Sequence, residues 1–185
     1  MKVMGIFAHA DDESFGALQA LLKHKEEGDS LHLVHFTHAR EAFEGFHKAA
    51  DYLNATITVM TLPDQKLEQE DFQALIAYVQ TPIAEAKPDI VYTNFIGDLN
   101  RDHRVIAEAV MVACRPYKEN APKEVWMCAV PSTTELGFRP IRKDMLVEIT
   151  PQKEKLLREW YPQELINGRY PLPKYEVYEL WPSAH

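Results

Sequence analysis

The stretch Val3–Gly16, VMGIFAHADDESFG, decides how the rest of the chain is interpreted. An apolar run ends in His9, Asp11 and Asp12, and a segment with helical character follows at once. Such a run is typical of a buried strand, and open α/β folds bind their ligands where such strands end. His9 and Asp12 are suitable zinc ligands, which leaves Asp11 to handle a proton. The alternative is an acidic N-cap, in which Asp11 or Asp12 accepts hydrogen bonds from first-turn amides.

A second polar cluster, Asn94–Val105 (NFIGDLNRDHRV), follows another predicted strand and leads into another predicted helix. It places His103 at a junction of the same kind as the first. Parallel strands bring such junctions together at one edge of a sheet. His9, Asp12 and His103 then offer two nitrogens and one oxygen to a metal, with a fourth position open for water. This is the composition of a catalytic zinc site, and no set of four Cys or His ligands competes with it.

The two motifs resemble those of the LmbE/PIG-L-like zinc-dependent N-deacetylases, whose first motif is usually AHPDDE. The resemblance extends to Leu62–Leu67 (LPDQKL) and Val130–Glu135 (VPSTTE), and GDLN-x-DHR is similar to one bacterial branch of the family. It implies a hydrolase that uses zinc-activated water to remove an N-acetyl group. The implied partner is a small molecule, either an amino sugar or an N-acetylglucosamine-containing conjugate.

Carried over by position, the resemblance implies that His9, Asp12 and His103 hold one zinc ion. It implies that Asp11 is the general base, and it places Asp64 in the substrate pocket. Other divalent ions would suit the same ligands. Two rival functions share this site: a metallohydrolase acting on a different amide or ester, and a non-catalytic binding protein on the same fold.

The chain departs from the family pattern at Ala10, where proline is usual, and at Asn100, where several members have a histidine. The family's histidine stabilises the oxyanion or protonates the leaving amine. Asn100 is therefore assigned a catalytic role as an amide donor to the oxyanion. The alternative is that Asn100 only forms the turn of the Gly-Asp-Leu-Asn loop.

Three further polar residues lie at the same predicted edge. Asp102 is expected to act catalytically as the acceptor that orients an imidazole, or as the N-cap of the following helix, and the two roles are compatible. Arg40 lies in the loop after the second predicted strand, where a cation can hold a hydroxyl or phosphate of the substrate. His38, in the same loop, is either a site residue or a solvent-exposed one.

The rest of the chain alternates strands and helices, which predicts an α/β fold. We expect a three-layer αβα sandwich with a mostly parallel, Rossmann-like sheet, as a single domain over residues 1–185. Pro82 is expected to disturb the end of the third helix, and the tail Asn167–His185 to wrap around the body. The predicted strands are Lys2–Ala8, Leu31–Phe36, Ala55–Thr61, Ile90–Asn94, Val125–Val130 and the edge strand Met145–Ile149; the predicted helices are Ser14–Glu27, Glu41–Leu53, Glu70–Ala86, Arg104–Arg115 and Pro151–Tyr161.

Composition limits the classes of function. The 185 residues are 46% hydrophobic and 26% charged, as in ordinary soluble domains. A net charge of −8 argues against a nucleic-acid-binding surface. Cys114 and Cys128 are expected to be buried free thiols, which favours a reducing, cytoplasmic location. We expect no signal peptide and no membrane span, and a homo-oligomer is compatible with these features.

Overall fold

The computed structural model describes residues 1–37, 40–131, 144–165, 172 and 174–181, without the side chains of residues 40–42. Within these residues the chain forms a seven-stranded sheet, six α-helices and one short 3₁₀ turn. In chain order the elements are β1 (Lys2–Phe7), α1 (Asp12–Glu26), β2 (Ser30–Thr37), α2 (Arg40–Leu53), β3 (Thr56–Leu62), the 3₁₀ turn (Leu67–Gln69), α3 (Phe72–Ala86), β4 (Ile90–Asn94), α4 (Arg101–Ala113), β5 (Glu124–Cys128), β6 (Met145–Glu148), α5 (Pro151–Trp160), α6 (Pro162–Leu165) and β7 (Tyr175–Leu180).

The strand order of the sheet is β3-β2-β1-β4-β5-β7-β6. The first five strands are parallel, and β7 and β6 add two antiparallel strands at one side. The predicted mostly parallel α/β sheet is confirmed. Strand β1 pairs with β2 on one side and with β4 on the other, so the strand order reverses between β1 and β4. Such a reversal opens a crevice at the carboxyl ends of the two strands.

The central strand β1 is buried on both of its faces from Val3 to Phe7, which explains why this part of the strand is apolar. Val3 and Phe7 pack into one core with helices α1, α2 and α5. Met4 and Ile6 point the other way and pack into a second core with α3 and α4. Helices α1 and α4 therefore leave β1 and β4 toward opposite faces of the sheet. The polar loops that precede these two helices are left side by side in the crevice.

Several local expectations are corrected by the structure. Pro82 lies inside α3 without ending it, and the helix continues to Ala86. The stretch 175–180 is a strand between β5 and β6, not a segment wrapped around the body, because its alternating pattern suits antiparallel pairing. The two helical histidines differ in burial: His47 is half-exposed, whereas His24 is buried against Tyr92 and Asp29.

The two cysteines, Cys114 and Cys128, are free and buried as predicted. In the part of the chain that the structure describes, no helix is both long enough and apolar enough to cross a membrane.

Candidate active site

The crevice between β1 and β4 brings the two polar motifs of the sequence together. The Nδ1 atom of His9 lies 2.9 Å from the Nε2 atom of His103. The two carboxylate oxygens of Asp12 face these nitrogens: Oδ2 lies 3.3 Å from Nδ1 of His9, and Oδ1 lies 3.3 Å from Nε2 of His103. Each of the three residues thus offers one ligand atom, and these atoms lie within 4.8 Å of one another. The predicted grouping of His9, Asp12 and His103 is present.

The carboxylate of Asp12 is fixed by hydrogen bonds from both motifs. Its Oδ2 atom accepts from the backbone N–H of His9 and from Nδ2 of Asn94, each at 3.0 Å. The Oδ1 atom of Asn94, at the end of β4, accepts from the backbone N–H of Ala8 at 2.8 Å. Burial acts to raise the pKa of Asp12, but the two imidazoles, led by His103, outweigh it and lower the pKa well below its usual value.

Each imidazole also has a carboxylate on the side away from Asp12. The Nε2 atom of His9 lies 3.1 Å from Asp64 and 3.4 Å from Asp102. The Nδ1 atom of His103 lies 3.1 Å from Oδ2 of Asp98. A carboxylate behind a ligating imidazole fixes the ring orientation and the tautomer and strengthens the ligand.

The surrounding carboxylates make the site strongly attractive to positive charge. Burial acts to lower the pKa of His9, but hydrogen bonds to carboxylates, led by Asp102, raise it well above the usual value. At His103, burial acts to lower the pKa, but the negative charge of Asp12 outweighs it, and the pKa rises to about 9. A divalent cation would take the place of these protons. Two imidazole nitrogens and a carboxylate are a donor set that zinc accepts, so the residues fit the metal.

Asp11 lies between His9 and Asp12 in the sequence and is not one of the three grouped ligand candidates. It stands at the N-cap position of α1, but its side chain makes no capping hydrogen bond. The first-turn amides of Ser14 and Phe15 bond instead to its backbone carbonyl. The N-cap alternative for the acidic pair is therefore wrong. Burial, followed by the charge of Asp12, raises the pKa of Asp11 to about 7. A carboxyl group with such a pKa suits general base catalysis near neutral pH.

Asp102 lies beside the imidazole of His9, with its Oδ2 atom 3.4 Å from Nε2 of that ring. Its two carboxylate oxygens accept from the backbone N–H groups of Gln65 and Leu67, at 2.8 and 3.1 Å. It thereby anchors the loop that carries Asp64, and it faces the ring of His9. The expectation that Asp102 caps α4 is wrong, because the cap is Asn100.

Asp98 is the site residue that sequence reasoning missed. It lies in the loop before α4 and is buried, with 1% of its surface exposed. Its Oδ1 atom accepts from the backbone N–H of Asn100 at 2.9 Å, while Oδ2 faces His103. His103 lies in the first turn of α4, and helical side chains point back toward the N-terminus. An acid in the preceding loop was therefore the available signal.

Asn100 is the N-cap of α4, since its Oδ1 atom accepts from the backbone N–H of Asp102 at 2.9 Å. Arg101 pairs with Glu68, and Arg104 donates to the backbone carbonyls of Asp98 and Leu99. Both guanidinium groups are therefore bound within the protein. Arg40 begins α2, but its side chain lies outside the described residues, as does the whole of His38.

A cavity of about 340 Å³ lies between α2 and the corner formed by α5 and α6. Glu44, Lys48 and Glu164 contribute to its walls. After burial and the charge of Asp12, the charge of Glu164 adds to the rise in the pKa of Asp11. Glu164 thus belongs both to the wall of this cavity and to the charges that act on Asp11.

The protein is an α/β protein with a candidate metal-dependent active site. The site consists of two imidazoles and a carboxylate where the strand order of the sheet reverses, with a further carboxyl group beside them. The model of the PIG-L family, described as GlcNAc-PI de-N-acetylase, matches residues 4–114. This match covers more than half of the 185 residues, and the protein belongs to the PIG-L family. The family expected from the motifs is thereby confirmed. No curated protein matches the chain in sequence.

Solved structures share the fold over nearly the whole chain. N,N′-diacetylchitobiose deacetylase from Pyrococcus horikoshii has a TM-score of 0.67 and 14% identity, covering 98% of this chain and 84% of that one. The zinc-inhibited form of teicoplanin deacetylase Orf2 has a TM-score of 0.71 and 14% identity, covering 93% and 89%. 4-Carboxy-2-hydroxymuconate hydratase from Pseudomonas putida has a TM-score of 0.72 and 15% identity, covering 100% and 98%. At these identities the likeness establishes the fold, which both deacetylases and a hydratase use.

Proposed function

We propose that the protein is a zinc-dependent N-deacetylase that acts on an amino sugar or an N-acetylglucosamine-containing conjugate. The observation that carries the proposal is the pairing of Asp11 with the group His9, Asp12 and His103. Three side chains suited to a metal surround one position, and the adjacent carboxyl group is left for proton transfer. Membership of the PIG-L family and the deacetylases that share the fold support the same reaction.

In the proposed reaction, His9, Asp12 and His103 hold the zinc ion, which when bound lowers the pKa of water toward about 7 and polarises a carbonyl group. Asp11 accepts the proton of the attacking water at its carboxylate. The new C–O bond forms at the acetyl carbon first and leaves an oxyanion, and the C–N bond breaks as its nitrogen is protonated. Asp11 then returns the proton to the departing nitrogen, so the products are acetate and the free amine.

Other residues of the chain hold these groups in place. Asp98 orients His103, while Asp64 and Asp102 orient His9. In this proposal Asn100 donates to the oxyanion through its amide nitrogen, since the side-chain oxygen is engaged in the cap of α4.

The substrate would lie beside Asp64 and Asp11, next to the metal-binding residues. Asp64 is half-exposed beside His9, where its carboxylate can accept from a sugar hydroxyl. Arg40, the first residue of α2, is proposed as a second substrate-binding residue. The free thiols Cys114 and Cys128 support a cytoplasmic location, where small acetylated sugars would be the partners.

The proposal is tested with purified protein, stripped of metal and titrated with zinc from below one equivalent. A low starting ratio is needed because a deacetylase with this fold has a zinc-inhibited form. The panel contains N-acetylglucosamine, N,N′-diacetylchitobiose, nucleotide-linked and lipid-linked N-acetylglucosamine, simple amides, acetyl esters and 4-carboxy-2-hydroxymuconate. Released acetate and free amine are measured for the wild type and for Asp11→Asn.

We expect zinc-dependent release of equal amounts of acetate and amine from an N-acetylated sugar, lost in Asp11→Asn. Turnover of other amides or esters alone would support the rival metallohydrolase. Consumption of the muconate would instead indicate hydratase chemistry on the same fold. Zinc binding without turnover of any compound would support a binding protein.

A further inference from the structure

A tyrosine from outside the two metal motifs contacts the segment that carries Asp11 and Asp12. Tyr161 directly follows α5 and is buried, with 2% of its surface exposed. Its hydroxyl group lies 2.9 Å from the backbone carbonyl oxygen of Ala10 and 2.9 Å from Oε1 of Glu13. One hydroxyl group therefore touches the chain on both sides of the acidic pair.

The second partner of this hydroxyl is itself fixed in place. Glu13 is buried, with 1% of its surface exposed, and its Oε1 atom also accepts from the hydroxyl of Ser14 at 2.6 Å. Glu13 belongs to the first turn of α1, whereas Ala10 belongs to the loop before it. The contact of Tyr161 thus ties the loop to the helix that follows it.

The neighbouring helix is built to admit the ring of Tyr161. A Cβ atom on Gly45 of α2 would lie 2.3 Å from Cε1 of Tyr161 and 2.7 Å from the carbonyl oxygen of Trp160. No side chain fits at that position, so the ring lies directly against the backbone of α2. On the other side, the ring centroid of Phe15 is 5.8 Å away. Packing therefore fixes the ring, and the ring fixes where its hydroxyl points.

We propose that Tyr161 is a positioning residue for the segment 9–13. Its hydroxyl holds the peptide of Ala10 relative to Glu13, and this sets the spacing of His9, Asp11 and Asp12. The activity part of this inference rests on the proposed function. The metal-binding part does not, because metal affinity can be measured without a substrate.

The test compares Tyr161→Phe with Tyr178→Phe. Tyr178 is a matched control because it is fully buried and its hydroxyl likewise donates to a buried glutamate, Glu176, but it lies in β7 and contacts none of the metal-binding candidates. Zinc affinity is measured by competition with a chelator, thermal melting is recorded without metal, and kcat and KM are measured on the best substrate.

Both variants should melt at a lower temperature, since each loses a buried hydrogen bond. Only Tyr161→Phe should also bind zinc about 10–100-fold more weakly, the usual effect of losing a group that supports metal ligands. At saturating zinc, its kcat should fall about tenfold or more with a smaller change in KM, because a misplaced Asp11 affects the chemical step. Gly45→Ala, which displaces the ring and keeps the hydroxyl, should give the same pattern.

Wild-type zinc affinity in both Tyr161→Phe and Gly45→Ala would overturn the inference. An equal loss of affinity in Tyr178→Phe would also overturn it, because the effect would then be general destabilisation. If the wild type releases no acetate from any substrate, the proposed deacetylase function fails, while the comparison of zinc affinities still decides whether Tyr161 positions the segment.

Discussion

Asp98 faces His103 from the side of the ring opposite Asp12: its Oδ2 atom lies 3.1 Å from Nδ1, while Nε2 points to the Asp12 carboxylate at 3.3 Å. The ring is thus held between two carboxylates. Such an arrangement leaves Nε2 unprotonated for a metal when Nδ1 carries the proton. Asp98 comes from the loop before α4, so the conformation of that loop controls the ligand on the helix.

The first prediction follows from this contact. Asp98→Asn removes the charge behind the imidazole and should weaken zinc binding about 10–100-fold. Asp71→Asn is the control, because the Asp71 carboxylate caps α3 by accepting from the backbone N–H of Gln73, and asparagine caps equally well. Chelator competition measures both affinities. Equal affinities in the two variants would show that Asp98 does not support the ligand.

The second prediction concerns the general base. Asp11→Asn should keep its zinc and lose about 10²–10⁴-fold in kcat, because the amide cannot accept the proton. In the wild type, kcat/KM should fall as the pH drops below the pKa of Asp11, since only the ionised form is a base. That pKa is about 7 without metal. A bound cation lowers it, so the acid limb should lie at or below pH 7. Near-normal turnover in Asp11→Asn would assign the base to another residue.

The third prediction separates the two roles of Asn100. Asn100→Ser keeps an oxygen for the cap of α4 but removes the amide donor, so it should fold with near wild-type stability and lose about 10²–10³-fold in kcat. Asn100→Ala should show the same loss of kcat. It should also lower the free energy of unfolding by about 1 kcal/mol, because the cap of α4 is lost. Urea unfolding and steady-state kinetics at matched zinc occupancy measure the two effects. An unchanged kcat in Asn100→Ser would leave Asn100 as a cap alone.

The fourth prediction concerns stability away from the site. Lys153 is fully buried, donates to the carbonyl oxygen of Phe15 at 2.8 Å and pairs with the buried carboxylate of Glu176. Lys153→Met leaves that carboxylate without its cation and should lower the free energy of unfolding by about 3–5 kcal/mol. Urea unfolding measures the loss. Adding Glu176→Gln should recover part of it, and a loss below about 1 kcal/mol in the single variant would contradict this account.

The sequence predicts the part of the site that depends on strand ends. Apolar runs identify β1 and β4, and the parallel arrangement brings His9, Asp12 and His103 to one edge without further information. The alternation of elements likewise predicts the three-layer fold. These features follow from local pattern and from the general geometry of α/β proteins.

The sequence offers Asp102 as an acceptor for an imidazole, but it does not predict which ring each supporting group faces, because these contacts depend on loop conformation and on distant packing. Asp102 turns toward the loop of Gln65 and Leu67, and this leaves Asp98 to face His103. Tyr161 reaches Ala10 across 151 positions of sequence, which no periodicity reveals. The strand β7 was missed because the proline and aromatic content of the tail was given more weight than the alternating pattern of Tyr175–Leu180.

The metal content of the protein tests the central claim most directly. Wild type, His103→Ala and the control His32→Ala are stripped with a chelator, incubated with zinc, freed of excess ion and measured by elemental analysis. His32 lies in β2 and bonds to Thr56 and Thr58. We predict one zinc ion per chain in the wild type and in His32→Ala, and substantially less in His103→Ala. Full zinc content in His103→Ala, or no zinc in active wild-type protein, would contradict the assignment of His9, Asp12 and His103 as the metal site.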